Sequence, residues 1–272
     1  MPARVQAEIG VFGGSGFYSF GDHVEEIALQ TPFGAPSAPV TIAERGGRRV
    51  AFIPRHGRDH QFAPAQVPAR ANLWAMRMLG VRQVIGPCAA GSLAAGIHPG
   101  DFVVLDQLVD RTWGRPDTFY DAGATHHVSY ADPYCPVLGR HALEAGERVG
   151  VRMHAQGTVV VIPGPRFSTR AESRWFRSQG WDVVNMTQYP EAYLARELGM
   201  HYAGIALVTD YDTGVEDDAH VQPVSQEQVF AFFEENLHRV RALLDELLPG
   251  LAGEPSGCDC AAAVGPLHAF ES

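Results

Sequence analysis

Short apolar runs alternate with helix-forming segments along almost the whole of this 272-residue chain. Turn residues bound the apolar runs, which is typical of buried strands, and the segments between them carry apolar residues at helical spacing. Strands that alternate with helices from end to end predict an α/β fold, a single domain in which a mixed, twisted β-sheet is flanked by helices. We predict strands at residues 8–12, 40–43, 50–54, 81–86, 102–109, 158–162, 183–186 and 201–209, and helices at 69–79, 136–150, 170–179, 190–198 and 225–247.

The end of the last predicted helix marks the end of the predicted domain. Pro249-Gly250 stops a long apolar stripe, and the residues beyond are rich in Gly, Ala and Pro. We therefore expect a folded domain over residues 1–248 and a flexible tail over 249–272. Residues 110–135 show no periodicity, and a loop of that length in a compact domain is usually functional.

Charge and hydrophobicity exclude two classes of partner. Lys and Arg total 21 and Asp and Glu total 31, so a formal net charge of −10 disfavours nucleic acid, although a local basic pocket could hold one small anion. No apolar run approaches the roughly 18–20 residues that cross a bilayer, and Glu8 interrupts any signal-peptide pattern. We expect a soluble cytoplasmic protein with no nucleic-acid or membrane partner.

Neither the cysteines nor the paired histidines predict a metal site. Of the four cysteines only the last two are close in sequence, and Cys-x-Cys has neither zinc-knuckle nor thioredoxin spacing, so we expect free thiols. His56 and His60 are four residues apart, but Gly57 stands where a zinc protease carries Glu, and the segment has loop composition. The cysteines are Cys88, Cys135, Cys258 and Cys260.

Two segments have the composition of an anion site. The glycines at 13–16 directly follow a strand, where backbone N–H groups can converge on an anion and Ser15 adds a hydroxyl. The loop lacks the third glycine of a dinucleotide fold and the Gly-Lys of a P-loop, and a plain tight turn remains an alternative. Arg55 and His56 end another strand, where a guanidinium fork could match phosphate or form an ordinary surface charge.

Three further segments offer contacts for a nucleoside-sized ligand. Phe167 follows a Gly-Pro turn and fits either a stacking surface at a pocket rim or the core. Residues 185–187 (Asn-Met-Thr) offer polar handles and a soft apolar contact, or a helix N-cap at Thr187. Asp210 and Asp212 end an apolar strand, where a partly desolvated carboxyl would have a raised pKa and act as a general acid, although a solvated turn is the alternative.

The order of these motifs along the chain is more specific than any one of them. It resembles the methylthioadenosine phosphorylases, the trimeric branch of the purine nucleoside phosphorylase family, from about Ile9 to Leu248. The matching motifs are Gly-Gly-Ser-Gly (13–16), Arg-His-Gly-Arg-x-His (55–60), Ala-Ala-Gly-Ser-Leu (89–93), Pro-Gly-Asp (99–101), Gly-Pro-Arg-Phe-Ser-x-Arg-Ala-Glu (164–172), Asn-Met-Thr-x-x-Pro-Glu (185–191) and Thr-Asp-Tyr-Asp (209–212).

The resemblance implies a phosphate site, a ribose site and a base site. It implies that Asp210 contacts N7 of the purine, with Asp212 beside it near the 6-amino group. His127 resembles a histidine that reaches into the neighbouring subunit's site of a homotrimer, and Val221 and Val224 lie in the stretch that shapes the 5′ pocket. The implied phosphate site is Ser15, Arg55, His56, Cys88, Ala89 and Thr187, and the implied nucleoside site is Phe167, Asn185, Met186, Asp210, Asp212, Val221, Val224 and His127.

Position 88 departs from the family pattern. Members of the family often carry Thr before the Ala-x-Gly-Ser motif, whereas this chain has Cys88. A thiol is a weaker hydrogen-bond donor than a hydroxyl, so the contribution of this position to phosphate binding stays open.

The implied reaction is phosphorolysis of 5′-methylthioadenosine to adenine and 5-methylthioribose 1-phosphate, a pentosyl transfer of purine and methionine salvage. Phosphate is a co-substrate, and no cofactor or metal is expected. Bound phosphate would attack C1′ of an oxocarbenium-like sugar while protonated Asp210 donates to N7. Guanine-preferring relatives carry Asn there, so Asp favours a 6-aminopurine. The alternatives are a phosphorylase for other 5′-deoxyadenosines, methylthioinosine or purine nucleosides, and a nucleoside-binding protein without turnover.

Overall fold

The computed structural model describes residues 6–19, 23–121, 125–213, 224–251 and 253–264. Its strands are β1 (Ile9–Gly13), β2 (His23–Ile27), β3 (Val40–Arg45), β4 (Arg48–Pro54), β5 (Gln83–Ser92), β6 (Phe102–Val104), β7 (Gln107–Asp110), β8 (Met153–His154), β9 (Thr158–Val161), β10 (Val183–Asn185) and β11 (His201–Asp210). Its helices are α1 (Ala69–Met78), α2 (Pro136–Val149), α3 (Arg170–Ser178), α4 (Gln188–Glu197) and α5 (Gln226–Leu247), with short 3₁₀ helices at Pro64–Gln66, Leu248–Gly250 and Cys260–Ala263.

The strands of the described chain form one mixed sheet. Along its main path the order is β2-β3-β4-β1-β5-β10-β9-β7, while β11 pairs with β5 on the other side and leads to β6 and β8. β1, β4, β5 and β11 are mutually parallel, whereas β3 runs antiparallel to β4 and β10 antiparallel to β5. The predicted single-domain α/β fold with a mixed sheet is confirmed.

The central strands β5 and β11 are buried on both faces, which is why they are continuous apolar runs in the sequence. Alternate residues of β11 therefore belong to two separate core clusters. Ala206 packs in the cluster that includes Leu73 of α1 and Leu194 of α4. Leu207 packs in the cluster that includes Leu138 of α2 and Phe233 of α5. Helices consequently cover both faces of the sheet, and the ends of the central strands are left to form a site.

Each predicted strand and helix has a counterpart, with shifted ends. The run at 102–109 is two strands, β6 and β7, instead of one. β5 continues to Ser92 through a Gly-Pro segment, because its pairing with β11 overrides the low strand propensity of those residues. β2 was not predicted, since its sequence His-Val-Glu-Glu-Ile is polar and the strand lies at the sheet edge. The described part of residues 111–135 contains neither helix nor strand, as expected of the long loop.

The described part of residues 249–272 differs from the flexible tail that composition predicts. Leu251 and Cys260 are each 2% exposed. Nε2 of Gln83 donates to the Gly253 carbonyl at 2.9 Å, and Arg196 donates to both carboxylate oxygens of Asp259 at 3.1 Å. Residues 253–264 are thus held by polar contacts that link them to distant elements, which composition alone does not indicate. Residues 265–272 lie outside the described residues.

Among the described residues, no helix is both long enough and apolar enough to span a bilayer.

Candidate active site

One large cavity lies at the carboxyl ends of the central strands. β1 leads into Ser15, β4 leads into Arg55 and β11 ends at Asp210, and all three residues line this cavity. In open α/β sheets ligands bind at this edge, because the parallel strands end there together. The space within the cavity, including its open mouth, is about 890 Å³.

Eleven of the fourteen residues predicted for the site line the cavity. Their individual roles stay predictions, since position alone does not assign them. Further lining residues received no role from the sequence, and three of these come from the first turns of α5. The eleven are Ser15, Arg55, His56, Cys88, Ala89, Phe167, Asn185, Met186, Thr187, Asp210 and Asp212, and the further ones include His60, Ser168, Gln226, Val229 and Phe230.

β5 links two chemically different ends of the cavity. A Cβ at Gly14 would lie 3.4 Å from Nη1 of Arg55 and 3.7 Å from the Cα of Cys88. A Cβ at Gly91 would lie only 2.9 Å from Oδ1 of Asp210, so the strand needs glycine where the carboxyl approaches it. Residues 88 and 91 of a strand are about 10 Å apart. A cationic end and a carboxyl end therefore face the same cavity at roughly that separation.

The guanidinium of Arg55 is buried and already paired. Nε and Nη2 donate to the two carboxylate oxygens of Glu191, both at 2.7 Å, and Nη1 donates to the Pro87 carbonyl at 3.2 Å. Tyr202 also donates to Glu191. Glu191 thus occupies Nε and Nη2 of the fork, which leaves Nη1 as the nitrogen nearest Gly14. Arg55 is likewise no surface charge, since it is 1% exposed.

His56 presents a neutral imidazole to the cavity. Burial lowers the pKa of His56 to about 4, and the nearby charge of Arg55 adds to this shift. Nδ1 lies 2.8 Å from the Phe62 carbonyl, which can only accept, so Nδ1 carries the proton and Nε2 is an acceptor. The ring stacks on His60 with centroids 4.5 Å apart. A ligand that contacts Nε2 must therefore donate a hydrogen bond to it, as the hydroxyl of a protonated phosphate can.

Two carboxyl groups with raised pKa values stand at the other end. Burial raises the pKa of Asp210, although hydrogen bonds from the Thr209 hydroxyl at 2.7 Å and the Asp212 amide at 2.8 Å oppose this. Burial raises the pKa of Asp212 to about 6, and the charge of Asp210 adds to the shift. Asp212 has a φ of 46°, a conformation that costs a non-glycine residue energy and is concentrated at functional sites. The pair is suited to holding a proton near neutral pH.

Asn185 links two backbone segments of the site through its side-chain amide. Its Oδ1 accepts from the amides of Thr187 and Gln188 at 2.7 and 2.8 Å, and its Nδ2 donates to the Ala89 carbonyl at 2.8 Å. Asn185 therefore satisfies backbone amides at the start of α4. Thr187 makes no side-chain cap hydrogen bond, so it does not act as the N-cap acceptor considered from the sequence.

Burial raises the pKa of the Cys88 thiol to about 12, so a neutral thiol faces the cavity.

Two predicted site residues within the described part of the chain do not line the cavity. His127 is exposed on the long loop, and Val224 is half-buried one residue before the N-cap of α5. Neither is among the lining residues. Val221 lies outside the described residues. Among the described residues, Phe167, Met186 and residues of α5 provide apolar lining of the cavity.

Comparison with known proteins gives the same assignment over nearly the full length. Residues 8–249 match the family model of the phosphorylase superfamily. The chain is 52% identical to an S-methyl-5′-thioadenosine phosphorylase of Mycolicibacterium smegmatis over 97% of this chain and 98% of the relative. It is 49% identical to a purine nucleoside phosphorylase of Streptomyces coelicolor over 97% of each protein.

Solved structures with this fold carry nucleoside-derived ligands. A methylthioadenosine phosphorylase of Schistosoma mansoni in complex with adenine superposes with a TM-score of 0.87 at 36% identity, over 92% of this chain and 93% of that one. A variant of that protein in complex with methylthioadenosine gives a TM-score of 0.85, again at 36% identity and over the same shares of the two chains. The fold, the cavity at the strand ends and these matches together show that this chain belongs to the phosphorylase superfamily.

Proposed function

We propose that this protein cleaves 5′-methylthioadenosine with inorganic phosphate, giving adenine and 5-methylthioribose 1-phosphate. The observation that carries the proposal is the carboxyl pair, Asp210 and Asp212, held with raised pKa values in the same cavity as Arg55 and His56. One end thereby suits a purine that needs a proton, and the other suits an anionic nucleophile. The enzyme class is a pentosyltransferase.

The bond changes balance with phosphate as the only co-substrate. A phosphate oxygen forms a bond to C1′ while the bond from C1′ to N9 of the purine breaks, through an oxocarbenium-like transition state. The electron pair of the broken bond goes to the purine, and Asp210 supplies the proton that N7 takes up. Neutral His56 can accept a hydrogen bond from the phosphate hydroxyl through Nε2, which orients the anion. The positive charge of Arg55 stabilises the anion electrostatically.

The base preference follows from the carboxyl chemistry. Protonated Asp210 donates through one oxygen and can accept from a 6-amino group through the other, which matches the donor and acceptor pattern of adenine. A 6-oxo purine would place an acceptor against an acceptor. Phe167, Met186 and Phe230 provide apolar contacts for the ribose face and for a 5′-methylthio group. Relatives and solved structures named for methylthioadenosine support this choice.

A second candidate is a phosphorylase for purine nucleosides with a 5′-hydroxyl. The Streptomyces coelicolor relative, named a purine nucleoside phosphorylase, is 49% identical, close to the 52% of the Mycolicibacterium smegmatis relative. The two functions differ in what the 5′ pocket accepts. An apolar pocket lined by Val229 and Phe230 favours methylthio over hydroxyl.

We further infer a homotrimer in which His127 completes the site of a neighbouring subunit. The support is that His127 is exposed and is not among the residues that line the cavity of its own chain, as expected of a residue that acts across an interface.

The test is a phosphate-dependent activity panel. Release of free base is followed with methylthioadenosine, adenosine, methylthioinosine and inosine, each with and without phosphate. The proposal requires the largest kcat/KM for methylthioadenosine and no turnover without phosphate. Binding of nucleoside with no turnover in any combination would make the protein a nucleoside-binding protein instead.

A further inference from the structure

Four side chains that can ligate a metal ion converge far from the cavity. Cys135, His201, Cys258 and Cys260 each place one ligand atom so that all four atoms lie within 4.8 Å of one another. Cys135 directly precedes α2, His201 begins β11, and the other two belong to the C-terminal segment. None of the four lines the cavity. Because His201 and Asp210 are the two ends of β11, about 30 Å separates this cluster from the carboxyl pair.

The distances among Cys135, Cys258 and His201 are close to those in a tetrahedral coordination sphere. The sulfurs of Cys135 and Cys258 lie 3.8 Å apart, and Nδ1 of His201 lies 3.5 Å from the first and 3.2 Å from the second. Zinc bound at about 2.3 Å to sulfur and about 2.0–2.1 Å to nitrogen separates two sulfurs by about 3.8 Å, and a sulfur from a nitrogen by about 3.6 Å. A disulfide between Cys135 and Cys258 would need a sulfur separation of about 2 Å.

The surroundings of the cluster suit thiolates. Three thiolates around one Zn²⁺ leave a net charge of −1, and Nη1 of Arg196 lies 3.8 Å from the sulfur of Cys260. His201 is 2% exposed, and its Nε2 has no hydrogen-bond partner among the described residues. The thiol sulfurs near Nδ1 are therefore the polar groups that face this imidazole in the described structure.

Beyond the polar contacts of Gly253 and Asp259, the composition of the C-terminal segment offers little to hold it in place. Residues 253–264 are mostly Gly, Ala, Ser, Pro and acidic residues, which bury little apolar surface. Cys260 is nevertheless 2% exposed and the segment forms a 3₁₀ turn there. A metal site can supply such order, because the free energy of metal binding becomes free energy of folding when the ligands come from separate elements.

We propose that Cys135, His201, Cys258 and Cys260 form a closed structural Zn²⁺ site that fastens residues 253–264 to α2 and β11. Binding displaces the three thiol protons to solvent and uses the lone pair of Nδ1 of His201, with the imidazole proton on Nε2. All four positions are filled by the protein, so the ion has no open position for a substrate. Thiolate and imidazole ligands select Zn²⁺ over Mg²⁺ or Ca²⁺. The site is independent of the proposed reaction.

The first measurement is the metal content of the full chain purified with a phosphine reductant and dialysed against a weak chelator. Wild type is expected to keep about one Zn²⁺ per chain. Cys258 is half-buried, so its replacement by Ser is expected to be tolerated by the fold. The zinc content of Cys258→Ser is expected to be at least about tenfold lower than that of wild type, because removing a ligand lowers the affinity for the metal. Cys88→Ser is the matched control, because it removes a buried cysteine outside the cluster and is expected to keep the zinc.

A second measurement reports the coordination directly. Replacement of zinc by Co²⁺ is expected to give thiolate-to-metal charge-transfer absorption and intense tetrahedral d–d bands in wild type and Cys88→Ser, but not in Cys258→Ser. Stripping the metal is expected to lower the Tm of wild type and leave the Tm of Cys258→Ser unchanged. Phosphorolysis assays are not needed for either readout.

Three results would overturn the proposal. One is a reduced wild-type protein that takes up neither added Zn²⁺ nor Co²⁺. Another is zinc content in Cys258→Ser equal to that of wild type, which would place the metal elsewhere. A disulfide found by mass spectrometry between two of the three cysteines, with no bound metal, would identify the cluster as a redox pair instead.

Discussion

Glu191 holds the charge of Arg55 inside the protein, and the substitution Glu191→Gln tests this arrangement. The side chains of Arg55 and Glu191 are 1% and 2% exposed, and two hydrogen bonds of 2.7 Å join them. The substituted amide would keep the volume of the carboxylate but remove its negative charge and turn one acceptor into a donor that faces a donor. Removing one partner of a buried ion pair costs about 3–5 kcal/mol, because the remaining charge is left uncompensated.

The assay is thermal unfolding with and without phosphate. A chain of this size loses roughly 2–4 °C in Tm per kcal/mol, so Glu191→Gln should unfold about 6–20 °C below wild type in phosphate-free buffer. Phosphate in the cavity would offer Arg55 a replacement charge, so saturating phosphate should raise the Tm of the variant by more than that of wild type.

Glu25→Gln serves as the matched control. Glu25 pairs with Arg49 at 2.6 Å on the surface, where both side chains are about half exposed, and such pairs contribute about 0–1 kcal/mol. A loss below about 1 kcal/mol in Glu191→Gln would refute the dependence of Arg55 on this carboxylate. An equal response of variant and wild type to phosphate would remove Arg55 from the phosphate site.

Three other predictions address the base, the pH dependence and the assembly. Asp210→Asn should lower kcat on methylthioadenosine by a factor of about 10²–10⁴ and shift the ratio of kcat/KM values for the two nucleosides toward methylthioinosine. If that ratio and both rates stay near those of wild type, Asp210 does not contact the base. The pKa of Asp212 is raised to about 6 from 3.8, so the native state takes up this proton first and gains stability as pH falls from about 6 toward 4. Asp212→Asn should therefore raise the Tm at pH 8 and lose that advantage progressively as the pH falls toward 4. An equal gain in Tm at pH 8 and near pH 4 would contradict the burial of this charge. His127→Ala should reduce kcat/KM while wild type behaves as a trimer in light scattering, and a fully active wild-type monomer would exclude a shared site.

The sequence by itself determined the elements and most of the site. Period and turn residues located the strands, and the polar residues that directly follow them, such as Ser15, Arg55 and Asp210, had to meet at one edge because parallel strands end together. Eleven predicted residues line the cavity, some of which, such as Cys88 and Ala89, were predicted only from the family resemblance. Their chemistry was likewise readable, since an Arg, a His and a carboxyl pair suit an anion and a base whatever their exact positions.

Only the tertiary structure decided which partners those side chains have and how burial shifts their pKa values. Glu191 is 136 positions from Arg55, and no local pattern indicates that it takes both fork nitrogens. Cys135 and Cys258 are 123 positions apart, so the spacing of Cys258 and Cys260 gave no sign of a four-ligand cluster. Burial sets the pKa values of His56 and Asp212, and burial depends on everything packed around a group. Period and turn patterns act over a few residues, whereas pairing and desolvation depend on contacts that exist only after the chain has folded.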